Sequence, residues 1–188
     1  MNREDCLTGL TLYKGNSSEA VVLTAYVRAG FLVSLPFGGG AAYDLIVDTG
    51  ARLIRVQVKT GKLERGCVLY NSRRHRGSKY DTFSRYREDE VDVFAVWCPD
   101  NQQLFAVPAV HSLNVEGRLR IIETRNFQEK KIKWARDFAW EKHIQQLRDE
   151  RFLAASYKEA GGRTFESCRE HFNFRSHARG RKKPTFFV

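Results

Sequence analysis

The sequence predicts a mixed α/β fold, a central sheet flanked by helices, on three observations. Apolar runs of strand length recur at residues 43–47, 53–59, 67–70, 91–97 and 103–107. Before and after them, apolar residues fall at helical spacing, as at Val22, Ala25, Tyr26 and Ala29. Pro36 and Gly38, Gly39 and Gly40 punctuate the chain between the first helix and the sheet.

The elements follow in order. Asn16 or Ser17 is suited to cap a helix that runs to about Arg28, with Gly30 as its stop and Glu19 in its first turn. A strand over 31–35 follows, then the glycines, which let backbone pass close to a ligand or make a flexible turn. They lack the Gly-Lys-Ser or Gly-Lys-Thr ending of a phosphate-cradling loop, so nucleotide binding of that kind is excluded. After the five main strands, residues 115–123 predict one more, and a long helix is expected from about Phe127 through Arg148, rich in Lys130, Lys131 and Lys133. Its aromatics Trp134, Phe138 and Trp140 read as core packing rather than base-stacking groups.

A chain of 188 residues with 42% hydrophobic content supports one ordinary domain, expected over residues 1–150, with a small appendage over 151–188. The formal net charge of +10 favours a polyanionic partner. There is no run of about 20 apolar residues, and Met1-Asn2-Arg3-Glu4-Asp5 lacks a signal pattern. A soluble, cytoplasmic, nucleoid-associated protein without membrane partners is expected. Cys6, Cys67, Cys98 and Cys168 are far apart, so reduced and mostly buried thiols are expected instead of a zinc module or disulfide framework. His75, His111, His143, His171 and His177 show no ligand spacing, and no Gly-X-Ser-X-Gly elbow exists. Histidine-metal chemistry and side-chain nucleophiles are therefore disfavoured.

Within the two apolar runs Tyr43-Asp44-Leu45-Ile46-Val47-Asp48 and Arg55-Val56-Gln57-Val58-Lys59, polar residues stand at fixed points. The period of two puts Gln57 and Lys59 on one face of their strand, with the carboxylate of Asp44 at the start of the other run. Phosphodiester hydrolysis asks for such a set: a carboxylate to hold a divalent cation, and a lysine to orient or deprotonate the attacking water. Glu19 alone would read as a helix-dipole or capping residue, but beside Asp44 and Lys59 it reads as part of the same site. Asp48 is either a spare ligand or the end of the strand in a turn with Thr49-Gly50.

This arrangement resembles the PD-(D/E)XK nuclease superfamily, and Gln57 in the acidic position resembles its group I intron-associated branch. Gly15-Asn16-Ser17-Ser18-Glu19-Ala20, Pro36-Phe37-Gly38, Gln57-Val58-Lys59-Thr60-Gly61, Asp92-Val93-Phe94-Ala95-Val96-Trp97-Cys98-Pro99 and Lys133-Trp134-Ala135 occur in family order, over roughly residues 13–143. The resemblance implies a restriction-endonuclease-like core and a catalytic set of Glu19, Asp44, Gln57 and Lys59. It implies a Mg²⁺ ion, with Mn²⁺ able to substitute, held by Asp44, by the main-chain carbonyl of Val58, by Glu19 directly or through water, and by Gln57. Because Gln57 offers oxygen without charge, ion binding should be weaker than in an Asp or Glu version.

Cations and aromatics interleave at Asn71-Ser72-Arg73-Arg74-His75-Arg76-Gly77-Ser78-Lys79-Tyr80 and at Arg85-Tyr86-Arg87, a pattern suited to DNA through Arg73, Arg74, His75, Arg76, Lys79, Arg85 and Arg87. A solvated surface loop is the plain alternative. The tail reads either as the first part of a helix-turn-helix around Thr164, Cys168, Asn173 and Phe174, or as a basic arm that grips phosphates through Arg179, Arg181, Lys182 and Lys183.

The expected activity is a metal-dependent, site-specific DNA endonuclease. The resemblance suggests a homing enzyme that makes double-strand breaks for intron mobility, acting on double-stranded DNA as a homodimer or higher homo-oligomer. A structure-selective nuclease such as a Holliday junction resolvase and a non-catalytic DNA-binding protein on a nuclease scaffold are the alternatives.

Overall fold

The computed structural model describes residues 3–38, 40–74, 84–87, 89–112, 116–123 and 129–159. The chain begins with α1 (Arg3–Arg28) and continues through β1 (Leu32–Ser34), β2 (Leu45–Asp48), β3 (Leu53–Thr60), β4 (Lys62–Glu64) and β5 (Cys67–Asn71). Two short strands, β6 (Arg73–Arg74) and β7 (Ser84–Arg85), precede β8 (Val93–Cys98), β9 (Gln103–Pro108), β10 (Glu116–Arg120) and α2 (Trp140–Glu159). The main sheet has the order β1-β2-β3-β8-β9. Only its β3–β8 pair is parallel, with Gln57 beside Phe94 and Lys59 beside Val96.

Alternation along β3 sorts the side chains onto two faces. Ile54, Val56 and Val58 are buried with Leu45 and Val47 against Val22 and Tyr26 of α1 and Ile144 and Leu147 of α2. On the other side, Phe94, Val96 and Val107 pack with Val68, Tyr70 and Leu119 of a second sheet. That sheet, β10-β5-β4, is wholly antiparallel. The 67–70 strand therefore leaves the main sheet, contrary to the single sheet that the sequence predicts, and β4 escapes the sequence reading because Lys62, Leu63 and Glu64 are all exposed. The change of sheet falls at Gly61, whose amide donates to the carbonyl of Trp97 at 2.7 Å. A Cβ there would stand 2.7 Å from Val68 Cγ1 and 3.1 Å from Val96 Cγ1, so a glycine is required.

Three boundaries need correction. Neither Asn16 nor Ser17 caps α1, which starts at Arg3, so Glu19 lies in mid-helix. Ser18, in the middle of this span, bonds back to the carbonyl of Lys14 at 3.0 Å in place of capping anything. Gly30 does stop the helix, at φ +89°. The helix expected from Phe127 begins only at Trp140: residues 129–132 form a turn, and Lys133 and Trp134 are held against β10, with the Arg120 amide donating to the Lys133 carbonyl at 2.8 Å and Trp134 bridging to Arg120. That conformation buries Trp134, and a 3₁₀ turn at Ala135–Phe138 follows. α2 then runs to Glu159, past the end expected at Arg148.

Cys67 and Cys98 are buried free thiols. No helix among the described residues is long and apolar enough to cross a membrane.

Candidate active site

β3 presents Gln57 and Lys59 on one face, as the alternation predicts, and the start of β2 brings Asp44 beside them. The Asp44 amide donates to the Val56 carbonyl at 2.9 Å, which locks the two strands together at this point. Asp44 Oδ2 in turn accepts the Val58 amide at 2.7 Å and a bond from Gln57 Nε2. The same Nε2 reaches the Val58 carbonyl at 3.3 Å. The carboxamide thus bridges Asp44 and the Val58 carbonyl, two of the four groups that the resemblance implies for the cation.

Electrostatics place Glu19 and Lys59 in the same cluster. Burial pushes the Glu19 carboxyl above its ordinary range, and the charge of Asp44 pushes it further. Asp44 is also raised, by burial first, against the lowering effects of the Val58 amide, Lys59 and Gln57. Burial lowers Lys59, and Asp44 partly restores it. Two half-buried carboxyls that resist ionisation together, beside a carbonyl and an amide, form a hard oxygen donor set suited to a small divalent cation. The set has two carboxylates only; among the described residues no three His, Cys, Asp or Glu side chains gather into a metal cage.

Asp48 lies at the far end of β2, about 13 Å along the strand from Asp44, and accepts the Gly50 amide at 2.7 Å. It closes the turn. Of the cationic residues, Arg73 and Arg74 form β6, which pairs with Ser84–Arg85 of β7 to make a hairpin. Arg74 is engaged with Glu90, and Arg87 with Asp89 at 3.0 Å. Arg73 and Arg85 are exposed. His75, Arg76 and Lys79, and the tail with Arg179, Arg181, Lys182 and Lys183, lie outside the described residues, as does the helix-turn-helix reading around Thr164.

Sequence reasoning takes Tyr86 only as an aromatic of the DNA-contact strip and passes over the pair Ser18–Thr60. The Tyr86 hydroxyl accepts a hydrogen bond from Lys59 Nζ at 3.1 Å, and the Ser18 and Thr60 hydroxyls meet at 2.7 Å where α1 crosses the end of β3. Tyr86, flanked by Arg85 and Arg87, carries the signature of a surface strip, which hides a ring that is buried. Ser18 directly precedes Glu19 in the helix, so its bond to Thr60 holds that turn of α1 against the strand that bears Lys59.

Known proteins bear on this geometry. The bacterial homing endonuclease I-Ssp6803I has a similar structure, with 23% sequence identity and a TM-score of 0.59 over 72% of this chain and 94% of that one, a likeness of fold. Among curated proteins nothing matches. The family model described as PD-(D/E)XK endonuclease matches residues 10–141. With that span covering most of the chain, the protein belongs to the PD-(D/E)XK endonuclease family.

Proposed function

We propose that the protein is a Mg²⁺-dependent, site-specific DNA endonuclease that cuts both strands as a homodimer or larger homo-oligomer and serves as a homing enzyme in the cytoplasm, at the nucleoid. The observation that carries this reading is the convergence of Glu19 from α1, Asp44 from the start of β2, and Gln57 and Lys59 from β3. Asp44, Glu19, the Val58 carbonyl and Gln57 would hold the cation, and Mn²⁺ fits the same oxygen set. A cation held there would supply neutralisation of the charge that builds on the phosphate during hydrolysis.

The chain's own residues do the rest. Lys59 is drawn toward its neutral form by burial, so its Nζ is suited to hold the attacking water and to take or return a proton. The charge of Asp44 opposes that shift. The Val58 amide and Gln57 fix Asp44 in one orientation, which preserves the geometry that in-line attack needs. The net charge of +10 supports a polyanionic substrate. Arg73 and Arg85 on the hairpin, with Arg74, Arg87 and the basic tail, would supply phosphate and base contacts. Residues 1–150 would form the nuclease domain and 151–188 the DNA-binding extension. One site cuts one strand, so a double-strand break calls for a second copy.

Incubation with intron-minus genomic DNA of the host and Mg²⁺, followed by mapping of the ends, tests the reading. Discrete paired breaks at one sequence are expected. Sequence-independent cutting of four-way junctions would favour a junction resolvase, and binding without cleavage in Mg²⁺ or Mn²⁺ would overturn the enzyme reading.

A further inference from the structure

Lys59 is gripped by groups that belong to neither the cation site nor its own strand. Nζ donates to the Tyr86 hydroxyl at 3.1 Å and to the Arg73 carbonyl at 3.3 Å, and lies 5.2 Å from the centre of the Tyr86 ring. These two partners stand on opposite arms of the hairpin, since Arg73 pairs with Arg85 and Tyr86 follows directly. Tyr86 is itself immobilised: it is 7% exposed and meets the fully buried Phe94 edge-on, with ring centres 5.1 Å apart at 77°. Phe94 is the register partner of Gln57 on β8, so the ring is referenced to the strand pair that carries the site. Burial, with Asp44 and Glu90 nearby, keeps the phenol protonated far above its ordinary range, so it meets the ammonium as a neutral acceptor.

A lysine stem has several rotamers, and a reaction that tolerates only small misplacement of its groups depends on which one is occupied. We propose that Tyr86 is a positioning residue for cleavage: from the arm of the β6–β7 hairpin its hydroxyl accepts a hydrogen bond from Lys59 Nζ and holds that ammonium toward the scissile phosphate. The proposal rests on the reading of Lys59 as the residue that serves the attacking water. It also gives the hairpin a second task, because both anchors of Lys59 move with it.

Tyr86→Phe removes the hydroxyl and keeps the ring against Phe94. On a synthetic duplex spanning the mapped break, its single-turnover rate should fall about tenfold or more, while affinity measured with Ca²⁺ in place of Mg²⁺ stays within about twofold. A purely structural role would move neither quantity selectively. In a Lys59→Arg background, whose residual rate is followed at high enzyme concentration, adding Tyr86→Phe should change the rate by less than about twofold. An equal loss in both backgrounds would mean that Tyr86 acts independently of Lys59 and would overturn the proposal. So would parallel losses of rate and affinity, which would make Tyr86 a DNA contact. If Tyr86→Phe cuts normally while Lys59→Ala is inactive, the proposal falls and the reading of Lys59 stands; wild-type turnover by Lys59→Ala would remove both.

Discussion

Replacing Gln57 by Glu tests the cation site most directly, since it changes one atom and reverses what that atom offers. Nε2 donates to Asp44 Oδ2 and to the Val58 carbonyl. The variant loses a hydrogen bond to a charged group, worth about 1.5–3 kcal/mol. It also sets a third carboxyl beside Asp44 and Glu19, both already raised by burial. Two carboxylates about 4 Å apart repel by up to about 4 kcal/mol at an effective dielectric constant near 20, and shared protonation relieves part of that. A net loss of about 2–5 kcal/mol in EDTA should lower Tm by roughly 5–15 °C for a domain of this size. Millimolar Mg²⁺ should then raise Tm more for Gln57→Glu than for wild type, because the added charge tightens ion binding and binding to the folded state alone is stabilising. Calorimetric titration should show the same ordering of affinities. Thermal scans of both proteins, with and without the ion, decide the matter. Equal Tm in EDTA together with equal increments in Mg²⁺ would refute the placement of Gln57 among the cation's neighbours.

Lys59→Ala and Asp44→Ala should each abolish cleavage while leaving DNA affinity nearly intact, read by plasmid cleavage alongside binding in Ca²⁺; loss of the Asp44 charge near phosphate should if anything tighten binding. His143, whose Nε2 lies 2.9 Å from the Tyr26 hydroxyl, is pushed down by burial from 6.5 to about 4. The unfolded chain therefore holds a proton on this ring that the folded one rejects, and stability should fall as pH drops from 6.5 to 4, by about 3 kcal/mol in all. In His143→Gln, urea titrations across that window should show a flatter dependence. Removal of residues 160–188 takes away seven arginines and lysines and spares α2, so the slope of log affinity against log salt should become shallower while cleavage persists at high protein concentration. An unchanged slope would assign the tail to something other than DNA.

Much of the site was legible because its residues lie on strands. Two residues apart on β3, Gln57 and Lys59 had to share a face, and Asp44 is carried by the neighbouring antiparallel strand. Glu19 was read beside Asp44 but misplaced along its helix: the cues at Asn16 and Ser17 are local, whereas α1 runs through them from Arg3 to Arg28. Tyr86 was hidden for another reason, since its role depends on contacts with Lys59 and Phe94 that link distant segments. The stretch before α2 has the composition of a helix, yet pairing with β10 takes Lys133 and Trp134 out of it. Local propensity yielded there to burial of Trp134.

The chain leaves the main sheet at Gly61 and re-enters it at Val93, on the strand beside the one it left. That seam is closed from both ends, by the Gly61 amide on the Trp97 carbonyl at 2.7 Å and by Arg55, whose guanidinium holds Asp92 at 3.0 Å. Because β3 and β8 are parallel, the segment between, with the hairpin and two strands of the second sheet, is a crossover that starts at one end of the strand pair and returns at the other. Exposed positions of that crossover, such as Arg73 and Arg85, can change while β3 and β8 keep their register, whereas its Val68, Tyr70, Tyr86 and Val91 are buried in the core and hold it in place. Substitution at those exposed positions leaves Asp44, Gln57 and Lys59 in place so long as Tyr86 still meets Lys59.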